Sequence, residues 1–144
     1  MDLDAIYIDE HNAVLYNEDQ YWQRIRFTLA HELGHKVLSH YNTSLSFKAK
    51  EQEANKFAAE LLCPSPLVYL SQIDTIGELC SAFDVSNSCA EAIMLSYNYF
   101  SPERWTYFVN MFRGQFRNFI EARQNLRTKK IRAKMPISFD LYEW

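Results

Sequence analysis

Two short apolar runs, DAIYID at residues 4–9 and AVLY at residues 13–16, flank the polar triplet Glu10-His11-Asn12. Runs of this length split by a turn signal predict a β-hairpin that turns at His11-Asn12. Asparagine tolerates the left-handed backbone such turns need. From about residue 20 to residue 39 the period lengthens, with Ile25, Leu29, Leu33 and Val37 at helical spacing and no proline between them. Gly34 interrupts this helix at a cost of about 1 kcal/mol relative to alanine, which points to the close approach of a neighbour. The polar stretch Tyr41 to Ser46 ends the helix. A second helix is predicted over residues 47–62, with Ala54, Ala58, Leu61 and Leu62 on its apolar side and a stop before Pro64. Pro66 opens another short helix. Three more follow over residues 73–83, 86–100 and 102–131, their starts marked by Asp74, Ser86 and Ser101-Pro102. Aromatics at positions 105, 108, 112, 116 and 119 form one helical stripe, assigned to core or partner packing. The short tail beyond Met135-Pro136 receives no element. A small sheet followed by helices makes the expected fold class α+β.

At 144 residues the chain is one domain's worth, and 48% apolar with 23% charged residues excludes a disordered class. Three dispersed cysteines, Cys63, Cys80 and Cys89, form no disulfide framework and suit a reducing compartment. The start MDLDAIYIDE carries neither a basic n-region nor a long apolar run, so no signal peptide is expected. No apolar stretch approaches the roughly 20 residues that span a bilayer. The expectation is a cytoplasmic protein with no membrane partner. The net charge of −3 hides an asymmetry: residues 1–100 carry 6 Lys and Arg against 14 Asp and Glu, and residues 101–144 carry 9 against 4. One explanation is a basic helix lying against an acidic body. The other is a docking surface for an acidic partner or nucleic acid, over residues 104–134.

The chemistry concentrates at residues 31–35, HELGH. Positions i and i+4 share one face of a helix, so the His31 and His35 imidazoles can reach one metal ion. Glu32 points off that axis, where it can take a proton from a water at an open metal position. A catalytic zinc wants three protein ligands, and the next helix offers Glu51, Glu53 and Glu60. Glu51 shares a side with Ala54, Asn55, Ala58 and Leu62, and a carboxylate amid small inward residues calls for a metal or a cation. Glu51 is therefore the preferred third ligand and Glu53 the fallback. Asn55, one turn on, could hold a liganding histidine by its second ring nitrogen. His11 reads as a turn residue. His40 reads as a solvated or dipole-stabilising group at the helix end, with an approach to the site from one turn beyond His35 as the alternative. Cys63, within LLCP, reads as a buried thiol in preference to a soft ligand.

The segments RFTLAHELGH and EQEANKFAAELLCP resemble the ImmA/IrrE family of metallopeptidases, whose pattern is close to FTLAHELGH and then E-x-x-AN-x-FAA-x-LL-x-P. Residues 27–35 and 51–64 match nearly throughout, with Cys63 where methionine is common. IGELCSAFDVS is similar to the small helical piece that follows the peptidase motifs. The resemblance covers residues 5–95. It implies a thermolysin-like zincin core over residues 1–72, a small sheet packed on the HExxH helix, then a helical region over 73–144 packed on it as one domain. It implies zinc held by His31, His35 and Glu51, with Glu32 as catalytic base. It also implies cleavage of a helix-turn-helix repressor of phage or mobile-element type. The chain begins at the hairpin, without the helix that often precedes it, so either the sheet is smaller here or the sequence is a piece of a longer one. The rival expectation is a zinc-containing regulatory module that antagonises a repressor by docking, since no Tyr or His can be assigned from sequence to steady an oxyanion.

Overall fold

The computed structural model describes residues 4–134, so the tail beyond Met135-Pro136 lies outside the described residues. The chain is α+β: a two-stranded antiparallel hairpin leads into seven α-helices among the described residues. Strands β1 (Ala5–Ile8) and β2 (Ala13–Tyr16) pair from Ala5 opposite Tyr16 to Ile8 opposite Ala13. Between them runs one 3-10 turn, Asp9–His11, and then Asn12 at φ 47° and ψ 44°. Asn12 takes the left-handed position the turn signal implied, and its Oδ1 accepts from the Tyr7 hydroxyl at 2.7 Å. Asp9, read as the end of the first strand, belongs to the turn because its carbonyl accepts from the Asn12 amide.

Helix α1 (Trp22–Val37) contacts both strands and lies along α2 (Phe47–Leu62). Gly34 is buried where the two helices meet. A Cβ there would stand 3.1 Å from Phe57 Cδ1 and 3.2 Å from the Ala54 Cα, so only a glycine lets the backbones come this near. Ala54 and Ala58 are fully buried on the facing side. Leu61, placed on that side by its spacing, instead turns outward, and Ala59 takes the inner position. The chain reverses after α1 through Ser39, at φ 55° and ψ 37°, into a second 3-10 turn, His40–Asn42. Ser46 then caps α2, its hydroxyl accepting from the Ala49 amide at 3.3 Å.

Helices α3 (Ser65–Leu70), α4 (Ile76–Phe83) and α5 (Asn87–Tyr97) follow. Thr75 caps α4, one residue past Asp74, and Ser86 caps α5. One apolar core joins Ala59, Cys63, Val68, Leu79, Cys89 and Ile93, so residues on both sides of position 72 share it. A second cluster gathers Leu67 and Leu70 of α3 with Val109 and Ile120.

That second cluster explains a departure from the expected helix over 102–131. The segment forms two helices, α6 (Thr106–Gln115) and α7 (Arg117–Lys134), with Phe116 between them at φ −112° and ψ 26°. In one straight helix Val109 and Ile120 would stand about 16 Å apart along the axis. Breaking it at Phe116 lets both meet α3, and Phe112 stacks on Phe116 with ring centroids 5.2 Å apart. Two basic side chains of α7 reach acidic groups of the preceding part: Arg127 pairs with Asp74 at 3.0 Å and Lys130 with Glu78 at 3.3 Å. Arg123 donates to the Ser81 carbonyl, and Gln124 to that of Leu70. No helix among the described residues is long and apolar enough to cross a membrane.

Two outcomes are expected from this packing. Gly34→Ala should lower stability by about 1 kcal/mol net in urea unfolding, because overpacking against the α2 backbone outweighs the gain in helix propensity. A more stable variant would show that the helices can separate without cost. Burial pushes the Cys63 thiol far above its ordinary value and that of Cys89 up to about 11, so both stay protonated at neutral pH. Iodoacetamide should therefore modify Cys80 in the folded protein and reach the other two only in denaturant; mass spectrometry showing equal labelling of all three would contradict the packing.

Candidate metal centre

The HELGH residues occupy the second half of α1, one turn separating the two imidazoles. The Nε2 atoms of His31 and His35 lie 2.9 Å apart. Glu51, in the second turn of α2, brings Oε2 to 3.4 Å from His31 Nε2 and Oε1 to 3.2 Å from His35 Nε2. One ligand atom from each of the three residues falls within 4.8 Å of the others. The close approach at Gly34 and Ala54 is what carries Glu51 there, since Gly34 directly precedes His35 and Glu51 lies about one turn before Ala54. Glu53, the fallback ligand, is not part of this group.

Behind the imidazoles the second ring nitrogens are both engaged. The Nδ1–H of His31 donates to Asn55 Oδ1 at 2.9 Å, the role its helix position suggested. His35 Nδ1 faces His40 Nδ1 at 2.9 Å, and His40 Nε2 faces Glu53 Oε2 at 2.9 Å. His40 is thus 1% exposed and packed behind the site, not solvated at a helix end. The left-handed turn at Ser39, which spacing does not reveal, folds it back under α1. His11 stays in the hairpin turn and Cys63 in the apolar core.

With His31 protonated on Nδ1, its Nε2 presents a lone pair toward His35 and the Glu51 carboxylate. Burial first, and then the neighbouring His31, push the pKa of His35 below its ordinary value against the opposing pull of Glu51. Two imidazole nitrogens and a carboxylate converging at hydrogen-bond distance sustain such an arrangement only around a proton or a cation. Two nitrogens and one oxygen are a donor set that suits zinc. The residues present fit the ion.

Glu32 lies beside the cluster, and burial raises its pKa above the ordinary glutamate value, with the Glu51 charge adding to the effect and His31 opposing it. Tyr41 is a neighbour that spacing missed: its ring centroid lies 6.4 Å from that of His35 and 6.0 Å from that of Tyr7, on which it stacks. Burial and the Glu32 charge hold the Tyr41 phenol protonated, available as a donor. A groove of about 1210 Å³ opens on this centre, with His31 and Glu32 in one wall and Phe27, Asn55, Leu95 and Tyr99 among its other lining residues. The far wall comes from α5, which no pattern in the sequence tied to the HELGH helix.

The Peptidase_M78 family model, the IrrE N-terminal-like domain, matches residues 1–92, a stretch that contains every residue of the cluster and of its supporting hydrogen bonds. No curated protein and no solved structure matches the chain. The match ends within α5, so α6 and α7 lie beyond it. By that match over most of its length, the chain belongs to the Peptidase_M78 family of IrrE N-terminal-like domains.

Proposed function

We propose that the protein is a zinc-dependent endopeptidase of the cytoplasm, with a thermolysin-like zincin core, that cleaves a regulatory protein of the helix-turn-helix repressor class. The observation that carries the metal and the chemistry is the convergence of His31, His35 and Glu51 beside Glu32. The repressor as substrate is supported by the resemblance of residues 27–35 and 51–64 to the ImmA/IrrE motifs.

His31, His35 and Glu51 would hold the ion. Bound zinc supplies acidity to a water and polarises the carbonyl under attack. Glu32 takes the proton of the attacking water, and its raised pKa suits a base that must later give that proton to the leaving amine. Asn55 holds the His31 ring by Nδ1, so that Nε2 faces the cluster. The groove gives an extended peptide a path past Glu32, and its apolar lining through Phe27 and Leu95 accepts side chains beside the bond to be cut. Tyr41, protonated and next to His35, is the neighbouring side chain able to donate to an oxyanion.

The test combines metal analysis with incubation against a purified helix-turn-helix repressor. Wild-type protein should bind one zinc and cut the repressor; a chelator should stop cleavage and added zinc restore it. Glu32→Gln should keep its zinc and lose roughly 100-fold or more in cleavage rate, the scale of general-base catalysis. Full activity in that variant would sink the mechanism. Glu51→Ala should lose zinc affinity by more than the roughly 10–100-fold typical of an outer-shell partner. A repressor left intact by zinc-loaded wild-type protein, together with derepression by Glu32→Gln, would favour the docking module over the peptidase.

A further inference from the structure

We propose that His40 and Glu53 are positioning residues that preset His35 for metal binding by fixing which of its ring nitrogens carries the proton. The inference rests on the metal reading of the cluster and goes beyond it.

A neutral imidazole has one N–H and one lone pair, and the hydrogen bond at one nitrogen decides what the other presents. The Glu53 carboxylate has only acceptors to offer. Facing His40 Nε2 at 2.9 Å, it requires the proton of a neutral His40 to sit there. His40 Nδ1 is then a lone pair, and it faces His35 Nδ1 at 2.9 Å. His35 must place its own proton on Nδ1, which leaves Nε2 as a lone pair directed at His31 and Glu51. The opposite order would set the unprotonated nitrogen of a buried His40 against the Glu53 carboxylate. His40 is 1% exposed, so no water relieves such a mismatch.

The two imidazoles of the cluster are therefore supported differently. His31 leans on a neutral amide, Asn55, while His35 leans on a chain that ends in an anion. A carboxylate-terminated chain raises the basicity of the ligand nitrogen as well as orienting the ring. Without it, His35 would carry its proton on Nε2 for part of the time, at the point where the metal must bind.

The measurements are zinc affinity by chelator competition and the His35 tautomer by long-range nitrogen–proton correlation NMR on metal-free protein, with urea unfolding alongside. In wild-type protein the His35 proton should sit on Nδ1. Glu53→Ala and His40→Ala should each shift it partly to Nε2 and weaken zinc binding by roughly 10–100-fold. His40→Asn, which returns an acceptor oxygen near the old Nδ1, should recover most of the loss; a role confined to filling space would not show that rescue. Should His40→Ala fail to fold, Glu53→Ala decides the matter, since its site is half-exposed. Unchanged tautomer and unchanged affinity in Glu53→Ala overturn the inference while leaving the zinc reading intact. A wild-type protein that binds no zinc overturns both.

Discussion

The contact between Gly34 and the backbone of Ala54 is the constraint on which the centre depends. Two helices normally stand 8–10 Å apart, a distance set by the side chains between them. Here one side chain is a hydrogen, and what meets it is the Ala54 backbone and the Phe57 side chain. The helices come close enough for a carboxylate on one to meet imidazoles on the other. A leucine at Gly34 or Ala54 would push Glu51 away from His31 and His35, whatever the merits of the three side chains themselves.

Closeness alone would not make a metal site, because the same burial that gathers the ligands also penalises every polar atom among them. The fold answers with acceptors placed behind each ring: Asn55 for His31, and His40 with Glu53 for His35. Both proton positions are then spoken for on the far side, and the lone pairs are left on the near side. The supporting residues come from α2 and from the turn between the helices, so one helical hairpin contains His31, His35, Glu51 and Glu32 together with the groups behind the two rings.

How much of this was legible depended on how local the signal was. Helical periodicity and capping are local, so α1 and α2 emerge from the sequence nearly to the residue, with Asn12 in the hairpin and Gly34 at the close approach. Glu51 and Asn55 could be chosen because facing on a single helix is a matter of counting. His40 could not be placed, since its position follows from the backbone of Ser39, and a polar stretch has no period to read. Glu53 could be named only as a fallback ligand for the same reason: its partner, His40, arrives from the turn before α2. The break at Phe116 was hidden by an aromatic stripe that keeps helical spacing straight through it. The α5 wall of the groove is a tertiary fact with no trace in the spacing of either helix.

Ser39 carries one more consequence. A non-glycine residue in the left-handed region costs on the order of 1 kcal/mol, and this one does so immediately before the buried imidazole it delivers. The fold thus holds a small strain at the hinge between α1 and α2. Glycine would relieve that strain, yet it would also widen the range of paths open to the unfolded segment. The serine keeps the reversal narrow. It trades a little backbone energy for an imidazole that arrives behind His35 already aimed.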